Sequence, residues 1–108
     1  MMSADEDRLA GVKELNPDLM NPKRFLIITF LYLFGPKTMA ELQRALRFTW
    51  GDLDSNLKRL KGRGYVELKK VFTLRGPRTM VSITEKGVKE YERLVDKLRD
   101  ILTKVRTS

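Results

Sequence analysis

The chain has 108 residues, 42% hydrophobic and 33% charged, enough for one domain with a modest core. Its formal net charge of +8 and pI of about 10.0 favour an anionic partner, nucleic acid or, less well, a membrane surface. It contains neither Cys nor His, which excludes disulfides, thiol redox sensing, thiolate or imidazole metal sites and His-based acid–base chemistry. No metal, cofactor or enzymatic activity is expected, because the remaining carboxylates, hydroxyls and lysines form no triad or metal-ligand spacing.

Residues 1–20 hold five acids and two bases, so the positive charge lies in the rest of the chain. Asp5, Glu6 and Asp7 stand where a secretory signal would need basic and then apolar residues, and a cytoplasmic, nucleoid-associated protein without a membrane partner is expected. Leu9, Val12, Leu15 and Leu19 keep helix-compatible spacing within an N-terminal helical segment, 4–20. Its amphipathic helix spans 4–15 and ends near Asn16-Pro17, since proline disfavours helix in the residue before it.

Asn21-Pro22 supplies a cap and a first helical residue, and Gly35-Pro36 a stop, for a second helix over 22–34. Its run Phe25 to Phe34 is broken only by Thr29, too short for the ~20 residues of a membrane span. Apolar nearly all round, it predicts the central post of the core. Thr38-Met39-Ala40-Glu41 fits a capping box for a third helix over 38–46. Thr49 caps a fourth, whose Leu53, Leu57 and Leu60 share one face before Gly62 and Gly64 stop it.

Tyr65–Phe72 and Thr79–Ile83 are rich in aromatic and β-branched residues and read as an antiparallel hairpin, the six residues between them forming a long basic tip. A last helix, 84–106, repeats Val88, Tyr91, Val95, Leu98, Leu102 and Val105 by threes and fours, the pattern of a helix–helix seam. Leu94 and Ile101 widen that stripe beyond the needs of one small domain, so a second subunit is expected to cover it, with packing on the N-terminal helix as the alternative. The fold class is therefore mainly α with a small β-hairpin wing: a winged helix-turn-helix core, 22–83, within one domain, 1–108.

Residues 58–78 carry eight Lys/Arg against the single acid Glu67, seven of the eight net charges. In a helix-turn-helix the fourth helix would enter a DNA major groove. With its leucines inward, Gly51, Ser55, Lys58, Arg59 and Gly62 point outward. Thr49, Trp50, Ser55 and Asn56, in the first turns, are the candidates for reading base edges, Asn56 by bidentate pairing with adenine. Lys58, Arg59, Lys61 and Arg63 are the candidates for phosphate contact, and Arg75 and Arg78 for the minor groove or its phosphates. Trp50 lies at the edge of the leucine stripe, where packing under the wing is favoured over exposure to DNA, and Tyr65 is expected in the core. Asp52 and Asp54 oppose phosphate; dipole stabilisation is favoured over acceptance from a cytosine amino group.

Leu15-Asn16-Pro17 leading into Pro22-Lys23-Arg24-Phe25, the run Thr49-x-Gly51-x-Leu53-x-x-x-Leu57-x-x-Leu60, Gly64-Tyr65-Val66, Arg75-Gly76-Pro77-Arg78-Thr79 and Ile83-Thr84-Glu85-Lys86-Gly87 together resemble small archaeal and bacterial winged-helix regulators related to the MarR and ArsR groups. The resemblance implies a homodimeric transcriptional regulator whose terminal helices pack together and whose two recognition helices address a roughly palindromic double-stranded site. Leu9 and Val12 would then join Val88, Tyr91, Leu94, Val95, Leu98, Ile101, Leu102 and Val105 at the dimer interface. A small-molecule effector is compatible with it. A non-specific architectural DNA-binding protein and a winged-helix protein-interaction module are the competing readings. One Gln and three Asn beside abundant Lys and Arg lean toward a thermophilic or archaeal source.

Overall fold

The computed structural model describes residues 3–107. In chain order the elements are α1 (Ala4–Lys13), α2 (Pro22–Phe34), β1 (Lys37–Thr38), α3 (Met39–Leu46), α4 (Trp50–Gly62), β2 (Val66–Thr73), β3 (Gly76–Ile83) and α5 (Glu85–Thr107). The three strands form an antiparallel sheet in the order β1-β3-β2. This is the winged helix-turn-helix expected from the sequence.

Local chemistry sets most boundaries. The Asn21 side chain accepts from the amides of Lys23 and Arg24, at 3.0 and 3.1 Å, and Pro22 follows at the first helical position. Thr38 and Glu41 complete the capping box on α3. The Thr49 hydroxyl accepts from the Asp52 amide at 3.1 Å to open α4. Arg47 closes α3 in the left-handed region, φ 56°, and its amide donates to Gln43 O at 2.8 Å. That turn lets α4 follow α3 after only three residues.

The core is built by Ile27, Ile28 and Leu31 of α2, Leu42 of α3, Leu53, Leu57 and Leu60 of α4, Val66 and Val81 of the sheet, and Tyr91 and Leu94 of α5. At roughly 1.5–3 kcal/mol per fully buried aliphatic side chain, this cluster supplies the main driving force for folding. Tyr65 is buried as expected, and its hydroxyl accepts from Asn16 Nδ2 at 2.9 Å. Among the described residues no buried side-chain nitrogen or oxygen lacks a hydrogen-bond partner.

Four expectations are corrected. First, α1 ends at Lys13; Leu15 and Leu19 reach the core from the turn that follows, where Asn16 Oδ1 accepts from the amides of Asp18 and Leu19. Helical spacing mimicked a longer helix there. Second, α2 is buried on one side only: Leu26, Leu33 and Phe34 stay about half exposed or more. Third, the hairpin strands run to Thr73 and from Gly76, so the tip is the two-residue turn Leu74-Arg75. Gly76, φ +99°, takes the left-handed conformation that lets the chain re-enter the ladder at once. Fourth, β1 pairs Lys37 with Val81 and Thr38 with Met80, a third strand too short to leave a periodic signal.

The molecule is elongated, 61 × 23 × 22 Å. α5 packs on α2 and, farther along, on α1, where Gly11 lies against Ile101. Tyr91 and Leu94, expected at a dimer seam, belong instead to the core: the Tyr91 ring packs in tilted contact against Tyr32, 4.8 Å between centroids, and Phe25, 6.0 Å, and its hydroxyl meets Thr29 Oγ1 at 2.9 Å. Val95, Leu98 and Ile101 pack partly against the same cluster and Val88 is half-buried, whereas Val12, Leu102 and Val105 remain exposed. The Leu9 side chain lies outside the described residues.

Candidate nucleic-acid interface

With Leu53, Leu57 and Leu60 buried, α4 presents Gly51, Ser55, Lys58 and Gly62 along one exposed ridge. The space above Gly51 and Gly62 is open, so a rigid partner can approach the helix backbone closely there. Ser55 donates its hydroxyl to Asp52 O at 3.2 Å and stays exposed. Lys58 pairs with Asp54 at 2.9 Å, one turn away, and both stay exposed. Such a pair is worth only a few tenths of a kcal/mol and yields easily to a phosphate.

One flank of α4 is tied to the segment before it. Asp18, 5% exposed, accepts a hydrogen bond from Arg59 Nε at 2.8 Å and forms an ion pair with Arg63, whose Nε lies 2.8 Å from its other oxygen, while its main-chain carbonyl accepts from Arg24 Nε at 2.6 Å. Arg59's hydrogen bond holds the Asp18 carboxyl below its usual range, outweighing the opposing effect of burial, with the charges of Arg63 and Arg24 adding to it. Lys23 pairs with Asp52 and lowers that carboxyl in the same sense. Asp52 therefore serves neither expected role alone: it sits in the first turn of α4 and also anchors α2. Arg59 and Arg63 remain more than half exposed, so their outer nitrogens still face solvent.

Asn56, expected to read a base edge, is corrected. It is 8% exposed, its Oδ1 accepts from Arg24 Nη1 at 3.1 Å, and its Nδ2 donates to Asp52 O at 2.7 Å. The 100° step places residue 56 beside the leucine stripe, and a carboxamide there is satisfied internally rather than offered to a ligand.

The opposite flank faces the wing. Trp50 is 54% exposed, contrary to the expected core packing, and with Thr38, Met39, Lys70, Arg78 and Thr79 it lines a groove of about 360 Å³ between the starts of α3 and α4 and the sheet. Lys61 and Thr49 are exposed. Arg75 stands at the wing tip, and Arg78 donates through Nη1 to Pro77 O at 2.9 Å. Lys70 counts in the sequence only as one of the basic cluster over 58–78, not as a contact candidate. It continues the strand face begun by Val66 and Leu68 and emerges where the sheet outruns the helices. Asp18, Lys23 and Arg24 were missed, since their partners are 29 to 45 residues away in the chain and no local pattern joins them.

Among the described residues there is no cluster of His, Cys, Asp and Glu suited to a metal, and no helix long and apolar enough to cross a membrane. Residues 23–102 match the family of the winged helix DNA-binding domain. The structure superposes on a transcriptional regulator homologue from Pyrococcus horikoshii with a TM-score of 0.83 and 31% identity, covering 92% of this chain and 97% of that one. A putative transcriptional regulator of the MarR family from Enterococcus faecalis aligns with a TM-score of 0.73 and 19% identity over 99% and 93% of the two chains. BpsR from Bordetella bronchiseptica, whose DNA binding is regulated by 6-hydroxynicotinic acid, aligns at 0.67 and 18% over 93% and 76%. These two share the fold. No curated protein matches the sequence significantly.

Proposed function

The chain belongs to the winged helix DNA-binding domain family, and from that premise we propose that it is a transcription regulator of the MarR type that acts as a homodimer on a two-fold-symmetric double-stranded site. The observation that carries this reading is the exposed ridge of α4, small at Gly51, Ser55 and Gly62 and basic at Lys58, lying beside a basic wing. In the major groove, Ser55 and Thr49 would face base edges, and Lys58 and Lys61 phosphates. Arg59 and Arg63 would reach the backbone from the flank where Asp18 holds them. Trp50, Lys70 and Arg78 would follow the strand that crosses from the helix to the wing, and Arg75 would enter the minor groove.

The dimer rests on a second observation. Leu33 and Phe34 at the end of α2, Leu102 and Val105 near the end of α5, and Val12 of α1 are all between 46% and 64% exposed. They sit on the helices that give the molecule its length, and an arm of two helices cannot cover its own apolar sides. A second copy would bury them by two-fold symmetry and set the two α4 helices about one DNA turn apart. Wild type is expected to sediment as a dimer at micromolar concentration and Leu102→Asp combined with Leu33→Asp as a folded monomer. A monomeric wild type would remove the dimer from the proposal. A groove of about 430 Å³ beside this face, lined by Tyr32, Leu33, Tyr91, Glu92, Val95 and Arg99, is where an effector would enter, to be sought by the shift it causes in Tm.

A further inference from the structure

The tip of the wing carries more apolar surface than a solvated hairpin needs. Phe72 is 88% exposed and Leu74 is exposed completely, and Pro77, opposite Phe72 in the ladder, is exposed as well. The knob is held firmly: the Thr73 hydroxyl donates to Gly76 O at 2.8 Å and accepts from the Arg75 amide at 3.2 Å, which fixes the turn on which Leu74 stands. Around it are Lys69, Lys70, Arg75 and Arg78, and no acid occurs from Leu68 to Thr84. Large apolar side chains left in water at a rigid point, ringed by one sign of charge, fit an anionic partner that also offers an apolar interior.

Resting on the DNA-binding reading above, we propose that the wing tip is an apolar wedge, with Leu74 as its point and Phe72 behind it, which presses into the minor groove at a base step and bends the duplex. The minor groove of duplex DNA is lined by phosphates and floored by stacked bases, and side chains such as Leu and Phe inserted there unstack a step and kink the helix toward the major groove. The basic residues supply the attraction that brings the tip to the groove, and Leu74 and Phe72 exchange water for base faces. The wing also shares a groove with Trp50 at the start of α4, so a duplex seated on α4 runs toward the tip. The wedge selects deformable sequence without hydrogen-bonding any base: pyrimidine–purine steps open easily and A-tracts resist.

The test is end-to-end energy transfer in a doubly labelled duplex of about 30 base pairs, titrated with wild type, Leu74→Ser and Phe72→Ser. Leu74 touches nothing in the fold, so its variant should melt with wild type. Wild type should shorten the end-to-end distance and lose affinity when the flexible step under the wing becomes an A-tract. Leu74→Ser should leave the duplex straighter, weaken binding about tenfold, preserve the salt dependence and erase the preference for the flexible step. Phe72→Ser should act in the same direction, more weakly. A duplex bound by wild type without bending, or bent equally by Leu74→Ser, would overturn the wedge and leave the DNA-binding reading intact. No duplex binding, with Leu74-dependent binding to vesicles of phosphatidylcholine and phosphatidylserine, would overturn both and make the tip a membrane contact.

Discussion

Gly87→Ala is expected to lower stability by about 3 kcal/mol, the upper end of the usual cost of overpacking. A Cβ at this position would lie 2.2 Å from the Tyr65 carbonyl oxygen and 2.9 Å from Ile83 Cγ1, and the first of these is backbone that cannot rotate away. Nor can α5 retreat cheaply. The Thr84 amide donates to that same Tyr65 oxygen at 3.0 Å, the Thr84 hydroxyl donates to Gly64 O, and the Gly87 amide closes the turn onto Thr84 Oγ1 at 3.0 Å. Moving the helix breaks these bonds and withdraws Tyr91 and Leu94 from the core. For a domain of this size the loss corresponds to a fall in Tm of more than about 10 °C. A Tm within about 2 °C of wild type would mean that α5 does not dock as closely as the Tyr65 contact requires.

Asp18→Asn should cost about 2 kcal/mol, less than the loss of a fully buried ion pair because both arginine partners are half in water. It removes the charge that gathers Arg59, Arg63 and, through the adjacent carbonyl, Arg24, and so loosens the N-terminal turn from α4. The pH dependence follows from the depressed carboxyl. In the unfolded chain Asp titrates near 3.9, and in the folded protein lower, so the unfolded state takes up the proton first. The stabilisation is therefore fully present above about pH 5, declines as pH falls through the unfolded value, and is gone below the folded one. The difference in stability between wild type and Asp18→Asn should be constant from neutral pH to about 5 and shrink steadily below 4. A difference that stays unchanged at pH 3 would show that the carboxylate charge is not what holds the arginines.

Much of the fold is legible because its signals are local. Thr38 with Glu41, Asn21 with Pro22 and Thr49 before the leucine run each place a helix start to within a residue, and the 3.6-residue period of Leu53, Leu57 and Leu60 fixes which side of α4 is buried. The same rule places Gly51, Ser55 and Lys58 outward. What stays hidden is tertiary. Asn56 lies where two faces of α4 meet, and Arg24, 32 positions earlier, joins the Asp52 carbonyl one turn away in holding its amide inward. Arg59 and Arg63 look like free cations until Asp18 is brought beside them. Tyr91 and Leu94 fit a seam pattern equally well whether the partner is another subunit or α2, because periodicity identifies an apolar face without saying what covers it. Trp50 misled in the other direction: a large indole at the edge of a leucine stripe suggests burial, yet the wing stands far enough from α4 to leave a groove.

The most direct measurement is a titration by fluorescence anisotropy of a randomised duplex pool, followed by selection and re-titration of the enriched sequences at several salt concentrations. A site with two-fold symmetry should emerge, with half-sites about one helical turn apart, bound far more tightly than the starting pool. Its log affinity should fall against log salt by about 0.9 for each phosphate neutralised. Salt-sensitive binding with no enriched sequence would contradict the regulator and indicate an architectural protein, and no binding to any duplex would point the basic face toward an acidic protein.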